Sequence, residues 1–272
     1  MKRNLSTIFL FLVFFLGLSL LLYPSVSDYW NSFHQSRAIA TYAETVANID
    51  EDVYKEYWDA ADAFNRGILN RTNVFAMSDE EEETYYQVLD VSDNGIMGYI
   101  EIPSIKCSLP IYHGVDEAVL QIAVGHIEWT SLPVGGESTH CVLSGHRGLP
   151  SAKLFTNLDQ LVVGDIFIMR VLDETLTYEV DQIRIVEPQD VEALKIVPGE
   201  DLCTLVTCTP YGVNTHRLLV RGHRVENQTD AAMIYVTADA MQIEPVLVAP
   251  IVATPMLLLL LVWLMIRYRK KR

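Results

Sequence analysis

The sequence has little positive charge outside its two ends. Its 272 residues include 20 lysines and arginines against 35 aspartates and glutamates, and seven of the basic residues occupy positions 2, 3, 267, 269, 270, 271 and 272. Residues 4–266 therefore hold 13 basic and 35 acidic side chains, a net charge of −22. Because binding to nucleic acid is driven by neutralisation of phosphates, so acidic a chain is not expected to bind nucleic acid.

Motifs for cofactors are also missing. The sequence has no CxxC pair, no Cys/His spacing of a structural zinc site, no calcium-binding loop and no glycine-rich phosphate loop. We therefore expect no metal and no other cofactor. Cysteines are few, and because Cys203 and Cys208 are an odd number of positions apart, they face opposite sides of a regular strand and are not expected to pair. A disulfide among Cys107, Cys141 and Cys203 stays open.

Two apolar segments flank the acidic body. Residues Ile8 to Leu22 form an uninterrupted run behind Lys2 and Arg3, which is typical of a signal peptide or of an uncleaved signal anchor. Residues Val246 to Ile266 form 21 positions without charge, followed by the basic sequence RYRKKR. This length and this tail predict a transmembrane helix with a cytoplasmic end. We expect both termini in the cytoplasm and the acidic body outside the cell membrane.

The first part of the body has a helical pattern. From Ile39 to Ile68, apolar residues recur every three or four positions, which predicts two amphipathic helices packed on the following domain. Residues Asn70 to Glu83 lose this period and end in a run of acids, so we expect a mobile, solvated loop there.

From Asn94 onward, short β-type runs alternate with glycines and prolines, which predicts a β-barrel or a β-sandwich. The predicted strands are Ile96–Ile102, Leu109–Tyr112, His140–Ser144, Ile166–Val171, Thr175–Ile185, Cys203–Cys208 and Arg217–Arg224. The predicted division of the chain is a signal peptide or anchor at 1–24, an extracellular helical segment with a loop at 25–93, a β domain at 94–228, a linker at 229–245, a transmembrane helix at 246–266 and a basic tail at 267–272.

A cysteine nucleophile is the sharpest hypothesis that the residues offer. Two strands separated by a turn-rich loop around Pro210, Gly212 and Asn214 are expected to pair in antiparallel fashion, which brings Arg217 beside Cys208. A free thiol has a pKa of about 8.5, and a neighbouring cation favours the reactive thiolate. The alternative from the residues is an inert buried cysteine and a surface arginine.

Resemblance to a known family favours the nucleophile. The segment 204–224, TLVTCTPYGVNTHRLLVRGHR, resembles the catalytic strands of sortases, specifically the pilus-assembling class C enzymes, in which TLxTC is followed nine residues later by an arginine. The segments MGYIEIPSIKCSLPIYHG and GHIEWTSLPVGGESTHCVLSGHRGLPSAKLF are similar to the sortase barrel in their sequence motifs and in the order of those motifs. The resemblance implies a mainly β fold, an eight-stranded sortase-type barrel preceded by a helical segment and flanked by membrane helices.

The resemblance also assigns roles to particular residues. The motif SGHRG matches the catalytic histidine motif and implies that His146 is the general acid–base beside Cys208 and Arg217. Thr207, immediately before the cysteine, is a possible supporting residue. Class C enzymes also carry a lid with an Asp-Pro-aromatic motif; here the nearest candidate is Asn73-Val74-Phe75, which lacks both the acid and the proline, so Phe75 is the possible lid residue and Asn73 offers no acidic latch.

The function implied is cysteine transpeptidation. Cys208 would cleave an LPxTG-like sorting motif through a thioester and pass the acyl group to a lysine amine of a pilin subunit, which polymerises pili. The residues leave three alternatives open: a wall-anchoring sortase, a membrane-anchored cysteine protease, and a surface protein that itself carries a sorting signal. The last needs an LPxTG-like pentapeptide before the apolar helix, and residues 240–246, AMQIEPV, do not contain one.

Overall fold

The computed structural model describes residues 2–71, 75, 77–227, 253–258, 260, 262 and 263. The predicted linker at 229–245 and the predicted tail at 267–272 lie outside the described residues. Within the predicted transmembrane helix at 246–266, the described positions are helical. The larger of two compact units spans residues 31–229 and contains every strand that the structure describes.

A long helix, α1 (Lys2–Ala47), begins the chain. Among the described residues, one helical segment is long and apolar enough to cross a membrane, and it is Phe9–Ala47 within α1. Signal sequences share that property, so its length and composition agree with either of the two predictions for the N-terminal run.

The predicted split of the helical region is confirmed, because α1 ends at Ala47 and α2 (Glu51–Leu69) follows after a short turn. The buried stripe of α2 comprises Ala61, Phe64 and Ile68, spaced three and four residues apart as one helix face requires. These side chains join the same buried cluster as the barrel interior. The helix therefore packs on the domain that follows it, as predicted.

The acidic run is not a loop, and that prediction is wrong. Residues Asp79–Gln87 form a third helix, α3. Ser78 caps it: the Ser78 hydroxyl accepts from the Glu81 backbone N–H at 3.3 Å, and the Glu81 carboxylate accepts from the Ser78 N–H at 2.8 Å. This reciprocal capping box, together with acids that complement the positive end of the helix dipole, stabilises the start of α3. The residues Ser78-Asp-Glu-Glu81 carried this signal in the sequence.

Eight strands form a closed barrel in the order β1-β2-β3-β4-β7-β8-β6-β5. Their bounds are β1 Ile96–Ile102, β2 Cys107–His113, β3 Val124–His126, β4 Thr139–Ser144, β5 Ile166–Val171, β6 Glu174–Val186, β7 Asp201–Thr209 and β8 His216–Val225. The pairs β2–β3 and β4–β7 are parallel, and the others are antiparallel. A four-residue helix, α4 (Glu117–Leu120), precedes β3.

The barrel interior is filled by one face of each strand. In β5, Phe167, Met169 and Val171 are buried while the residues between them are partly exposed, which is the period of two expected for a strand with one face in a core. The Phe167 ring stacks on Tyr178 of β6 with centroids 5.5 Å apart. Gly222 of β8 lies against this pair, since a Cβ there would lie 2.8 Å from the Phe167 ring. The predicted eight-stranded barrel with an N-terminal helical segment is confirmed.

Candidate active site

Cys208 and Arg217 are direct neighbours across two strands. The antiparallel register of β7 and β8 pairs Cys208 with Arg217 and Thr209 with His216. Residues directly opposite in an antiparallel pair point to the same face, with Cβ atoms about 4.5–5.5 Å apart. Both side chains are partly buried, and the Arg217 guanidinium donates from Nη1 to the His216 carbonyl oxygen at 3.2 Å. The pairing predicted from the hairpin is confirmed, and it brings a permanent cation to a cysteine.

His146 follows β4, the strand that pairs with β7 on the side opposite to β8. Strands β4 and β7 are parallel, with Ser144 opposite Val206, and the ladder continues one residue further, because the Gly145 N–H donates to the Val206 carbonyl oxygen at 3.0 Å. His146 lies two residues beyond Ser144, and Cys208 lies two residues beyond Val206. The three predicted catalytic residues therefore come from the same end of three adjacent strands.

The turn that carries His146 is held by buried contacts. The Thr207 hydroxyl, almost fully buried, donates to the Gly145 carbonyl oxygen at 2.8 Å. The α-carbon of Gly145 faces the Phe155 ring so closely that a Cβ would lie 2.7 Å from ring atom Cδ2. The Phe155 N–H donates to the His146 carbonyl oxygen at 3.1 Å. Thr207 thus links the strand of the cysteine to the residue before the histidine.

A second set of contacts joins this turn to the loop after β7, and the sequence reading missed it. The Arg147 guanidinium forms an ion pair with Asp159 and stacks over the Tyr211 ring at 5.7 Å from its centroid. The Tyr211 ring also lies against Gly148, where a Cβ would be 3.0 Å away. The pattern His-Arg-Gly supplied a signal, since a glycine beside a charged residue in a turn permits close approach of another group.

An apolar cluster lies next to the three residues, on the outer face of the barrel. It comprises Val142 of β4, Val206 of β7, Leu219 of β8 and Leu194. Val206 precedes Cys208 by two positions and Leu219 follows Arg217 by two, so the cluster and the catalytic row share one face of the sheet. Trp129 packs against this cluster. The four side chains of the cluster are 0–7 % exposed, so it is a buried apolar patch beside the row of Cys208 and Arg217.

Phe75 contacts the rim of this apolar cluster. Its ring meets Trp129 edge to face with centroids 5.1 Å apart, and the Lys195 ammonium lies 5.9 Å from its centroid. The side chain is 38 % exposed. Asn73, the other residue of the predicted lid, lies outside the described residues. The base of this segment is fixed by an ion pair between Arg71 and Glu81 at 2.8 Å.

Three further histidines are buried inside hydrogen-bond networks. His113 contacts the carbonyl oxygens of Val88 and Gly95, His126 contacts the Tyr85 hydroxyl, and His140 contacts the Lys195 carbonyl oxygen. Burial lowers the pKa of His113 and of His140, because it disfavours the charged ring. These rings are buried and hydrogen-bonded, whereas His146 is in a partly exposed turn.

The cysteines are all free thiols, which answers the question that the sequence left open. Burial raises the pKa of Cys107 to about 12 and also raises the pKa of Cys203. Among the residues that the structure describes, no three His, Cys, Asp or Glu side chains are grouped so that they could hold a metal ion. The strand ends at this face carry a thiol, an imidazole and a guanidinium, those of Cys208, His146 and Arg217.

Comparison with known proteins places this barrel in a family. Residues 100–225 match the model of the sortase domain. The crystal structure of sortase C1 from Streptococcus agalactiae is 53 % identical, with a TM-score of 0.69, over 70 % of this chain and 99 % of that one. A sortase C from Streptococcus pneumoniae, whose structure is described with regard to pilin substrate specificity, is 44 % identical, with a TM-score of 0.63, over 70 % and 97 % of the two chains.

Curated relatives match over shorter segments. Sortase D of Bacillus subtilis is 31 % identical over 131 residues, which are 47 % of this chain and 63 % of that protein. Sortase A of Streptococcus agalactiae is 31 % identical over 117 residues, 42 % of this chain and 47 % of that protein. The chain thus spans less than two thirds of the length of the curated relatives that it matches.

Proposed function

Since the chain belongs to the sortase family, we propose that it is a class C cysteine transpeptidase, which cleaves an LPxTG-like sorting motif and joins it to a lysine amine of a pilin subunit. The pairing of Cys208 with Arg217 across β7 and β8 carries the proposal. The turn with His146, which continues the neighbouring strand β4, supports it. The resemblance to sortase C structures, at 44–53 % identity, supports the class.

The first half of the reaction is acyl transfer to the thiol. The Cys208 thiolate attacks the carbonyl carbon of the threonine in the sorting motif, and the Arg217 guanidinium donates to the oxyanion that forms. When the tetrahedral intermediate collapses, the bond between the threonine carbonyl and the glycine nitrogen breaks. The His146 imidazolium gives its proton to that nitrogen, so the glycine peptide leaves as a neutral amine and a thioester remains.

The second half reverses the roles with a different amine. The lysine attacks the thioester carbonyl carbon as a neutral ε-amine, and neutral His146 accepts the proton that the lysine nitrogen loses on forming the amide. The carbon–sulfur bond breaks, Cys208 leaves as the thiolate, and an amide joins the threonine carbonyl to the lysine nitrogen. The product is an isopeptide bond, and the enzyme returns to its starting state.

We assign Phe75 the role of a lid beside this thiol. Its ring rests on Trp129, which packs on the same apolar cluster as Val206, two residues before the proposed nucleophile. An aromatic ring in that place would occupy the surface that the sorting peptide needs. The ring would then have to move aside when the peptide binds.

The location that suits this chemistry is the outer side of the cell membrane. The N-terminal segment Phe9–Ala47 is long and apolar enough to span a membrane. The basic ends of the chain are expected in the cytoplasm and the acidic body outside. Pilin subunits with an LPxTG-like motif and an acceptor lysine are the proposed partners.

The test uses the detergent-solubilised full chain with an LPxTG-type peptide and a lysine-bearing pilin peptide. Mass spectrometry is expected to detect the threonine–lysine adduct with wild type and not with Cys208→Ala. Release of free acid without the adduct would replace this proposal with the protease alternative. Transfer to a peptidoglycan cross-bridge amine in preference to lysine would favour wall anchoring.

A further inference from the structure

His140 makes two short hydrogen bonds at the outer face of the barrel. Its ring is 1 % exposed, with Nδ1 2.8 Å from the Lys195 carbonyl oxygen and Nε2 2.7 Å from the Thr204 hydroxyl. A carbonyl oxygen only accepts, so Nδ1 carries the proton and donates it. In the neutral ring Nε2 then accepts from the Thr204 hydroxyl, so the bond to Lys195 fixes the tautomer and the bond to Thr204 holds the ring. Burial, which disfavours the charged ring, agrees with this state.

Lys195 belongs to the connection between β6 and β7, residues 187–200. This connection contains the 3-10 turn Glu192–Leu194, whose Leu194 side chain is buried in the apolar cluster with Val206. The Lys195 ammonium lies over the Phe75 ring. The carbonyl that His140 binds therefore belongs to Lys195, which follows Leu194 directly and whose ammonium contacts Phe75, the proposed lid residue.

We infer that His140 is a positioning residue for substrate binding, which holds the 187–200 connection in place over the apolar cluster beside Cys208. The inference rests on the proposed function, in which the sorting peptide binds beside Cys208 and against this connection. His140 contacts the connection and not the reacting atoms. The bond to Lys195 is the contact that matters, because it fixes the connection, whereas the bond to Thr204 fixes the ring.

Two amide variants separate the two bonds. In His140→Asn the side-chain nitrogen lies at the same distance from the backbone as Nδ1 and can donate to the Lys195 carbonyl oxygen. In His140→Gln the amide lies at the level of Nε2 and reaches toward Thr204. Both variants are polar and have similar volumes, so they form a matched pair, with His140→Ala as the variant that lacks both bonds.

Two measurements on the detergent-solubilised full chain test the inference. The first is the steady-state kinetics of LPxTG-type peptide cleavage. The loss of one neutral hydrogen bond predicts a KM about 3- to 10-fold higher for His140→Ala and His140→Gln with kcat little changed, and a KM close to wild type for His140→Asn. The second is hydrogen exchange of residues 187–200, which is expected to be faster in the Ala and Gln variants only.

The outcomes are separable. Equal KM and equal exchange in all variants would overturn the inference, as would a fall in kcat with KM unchanged, which indicates an effect on the chemistry. If His140→Asn behaves like His140→Ala, the Lys195 bond is not the relevant one and the inference is wrong. If the wild type cleaves no sorting peptide, the proposed function fails with the binding role, and hydrogen exchange still decides whether His140 holds the connection.

Discussion

Adding one methyl group at Gly145 is expected to damage the active site without touching a catalytic side chain. In Gly145→Ala the new Cβ would lie 2.7 Å from Cδ2 and 2.9 Å from Cγ of the Phe155 ring. Phe155 is fully buried and its neighbours in the core leave it little room to retreat. Moving the contact to an ordinary 3.4 Å therefore requires a displacement of about 0.7 Å.

The displacement falls on the turn with His146, because Gly145 is bound on both sides. Its N–H donates to Val206 at 3.0 Å and its carbonyl accepts from Thr207 at 2.8 Å. Overpacking of this kind costs about 1–3 kcal/mol of unfolding free energy. A catalytic group misplaced by about 1 Å costs about 100-fold in rate, so a shift of this size predicts a fall in kcat/KM of about 10- to 100-fold.

The assay compares Gly145→Ala with Gly67→Ala in peptide cleavage and in urea unfolding. Gly67 lies within α2, and a Cβ there meets no heavy atom within 4 Å, so the same chemical change is expected to raise stability by about 0.5–1 kcal/mol and leave cleavage unchanged. Wild-type kcat/KM in Gly145→Ala with reduced stability would show that the turn does not control His146. Wild-type values of both would refute the packing argument itself.

Three further predictions concern neighbouring groups. Thr207→Val leaves the buried Gly145 carbonyl without its donor and is expected to cost about 1–3 kcal/mol of unfolding free energy, measured by urea unfolding. Thr207→Ser keeps the hydroxyl and is expected to keep most of the stability. Equal losses of stability in the two variants would contradict a stabilising role of this hydrogen bond. Arg217→Lys keeps the charge but loses the planar fork, so kcat/KM for peptide cleavage is expected to fall about 100-fold or more, and an unchanged value would exclude an oxyanion role. The hydrogen bond from the Ser78 N–H, and then that from Arg71, lower the pKa of Glu81. The stability that the Glu81 carboxylate contributes is therefore present above the unfolded-state pKa of about 4.3 and is lost as pH falls through the lower folded-state value. Urea unfolding is expected to show that Glu81→Gln is less stable than wild type at neutral pH and equally stable in acid; a difference that persists in acid would contradict the prediction.

Most strands of the barrel are predictable from the sequence, because each strand is indicated by the residue types of a short, continuous segment. The short β-type runs between glycines and prolines predict seven of the eight strands, and burial alternates along them as at Phe167, Met169 and Val171. The turn-rich loop after Cys208 was sufficient to predict its pairing with Arg217. Strand β3 has only three residues, too few for a period of two to be recognised.

Other features depend on contacts between distant parts of the chain. The acidic composition of 79–83 predicts a solvated loop, whereas the reciprocal capping of Ser78 and Glu81 stabilises helix α3 there. The contact of Arg147 with Tyr211 depends on where two loops meet in space. His140 and Lys195 are 55 positions apart, and no local pattern links a histidine within one strand to a carbonyl in the connection before another.

The measurement that tests the central claim most directly is the identity of the acylated residue. The full chain is incubated with an LPxTG-type peptide without acceptor amine, quenched in acid and digested, and the modified segment is located by mass spectrometry. We predict that the acyl group of the peptide, ending at its threonine, is attached to Cys208 as a thioester that hydroxylamine removes, and that Cys107 carries none. Acylation of another residue, or turnover by the Cys208→Ala variant, would contradict the account.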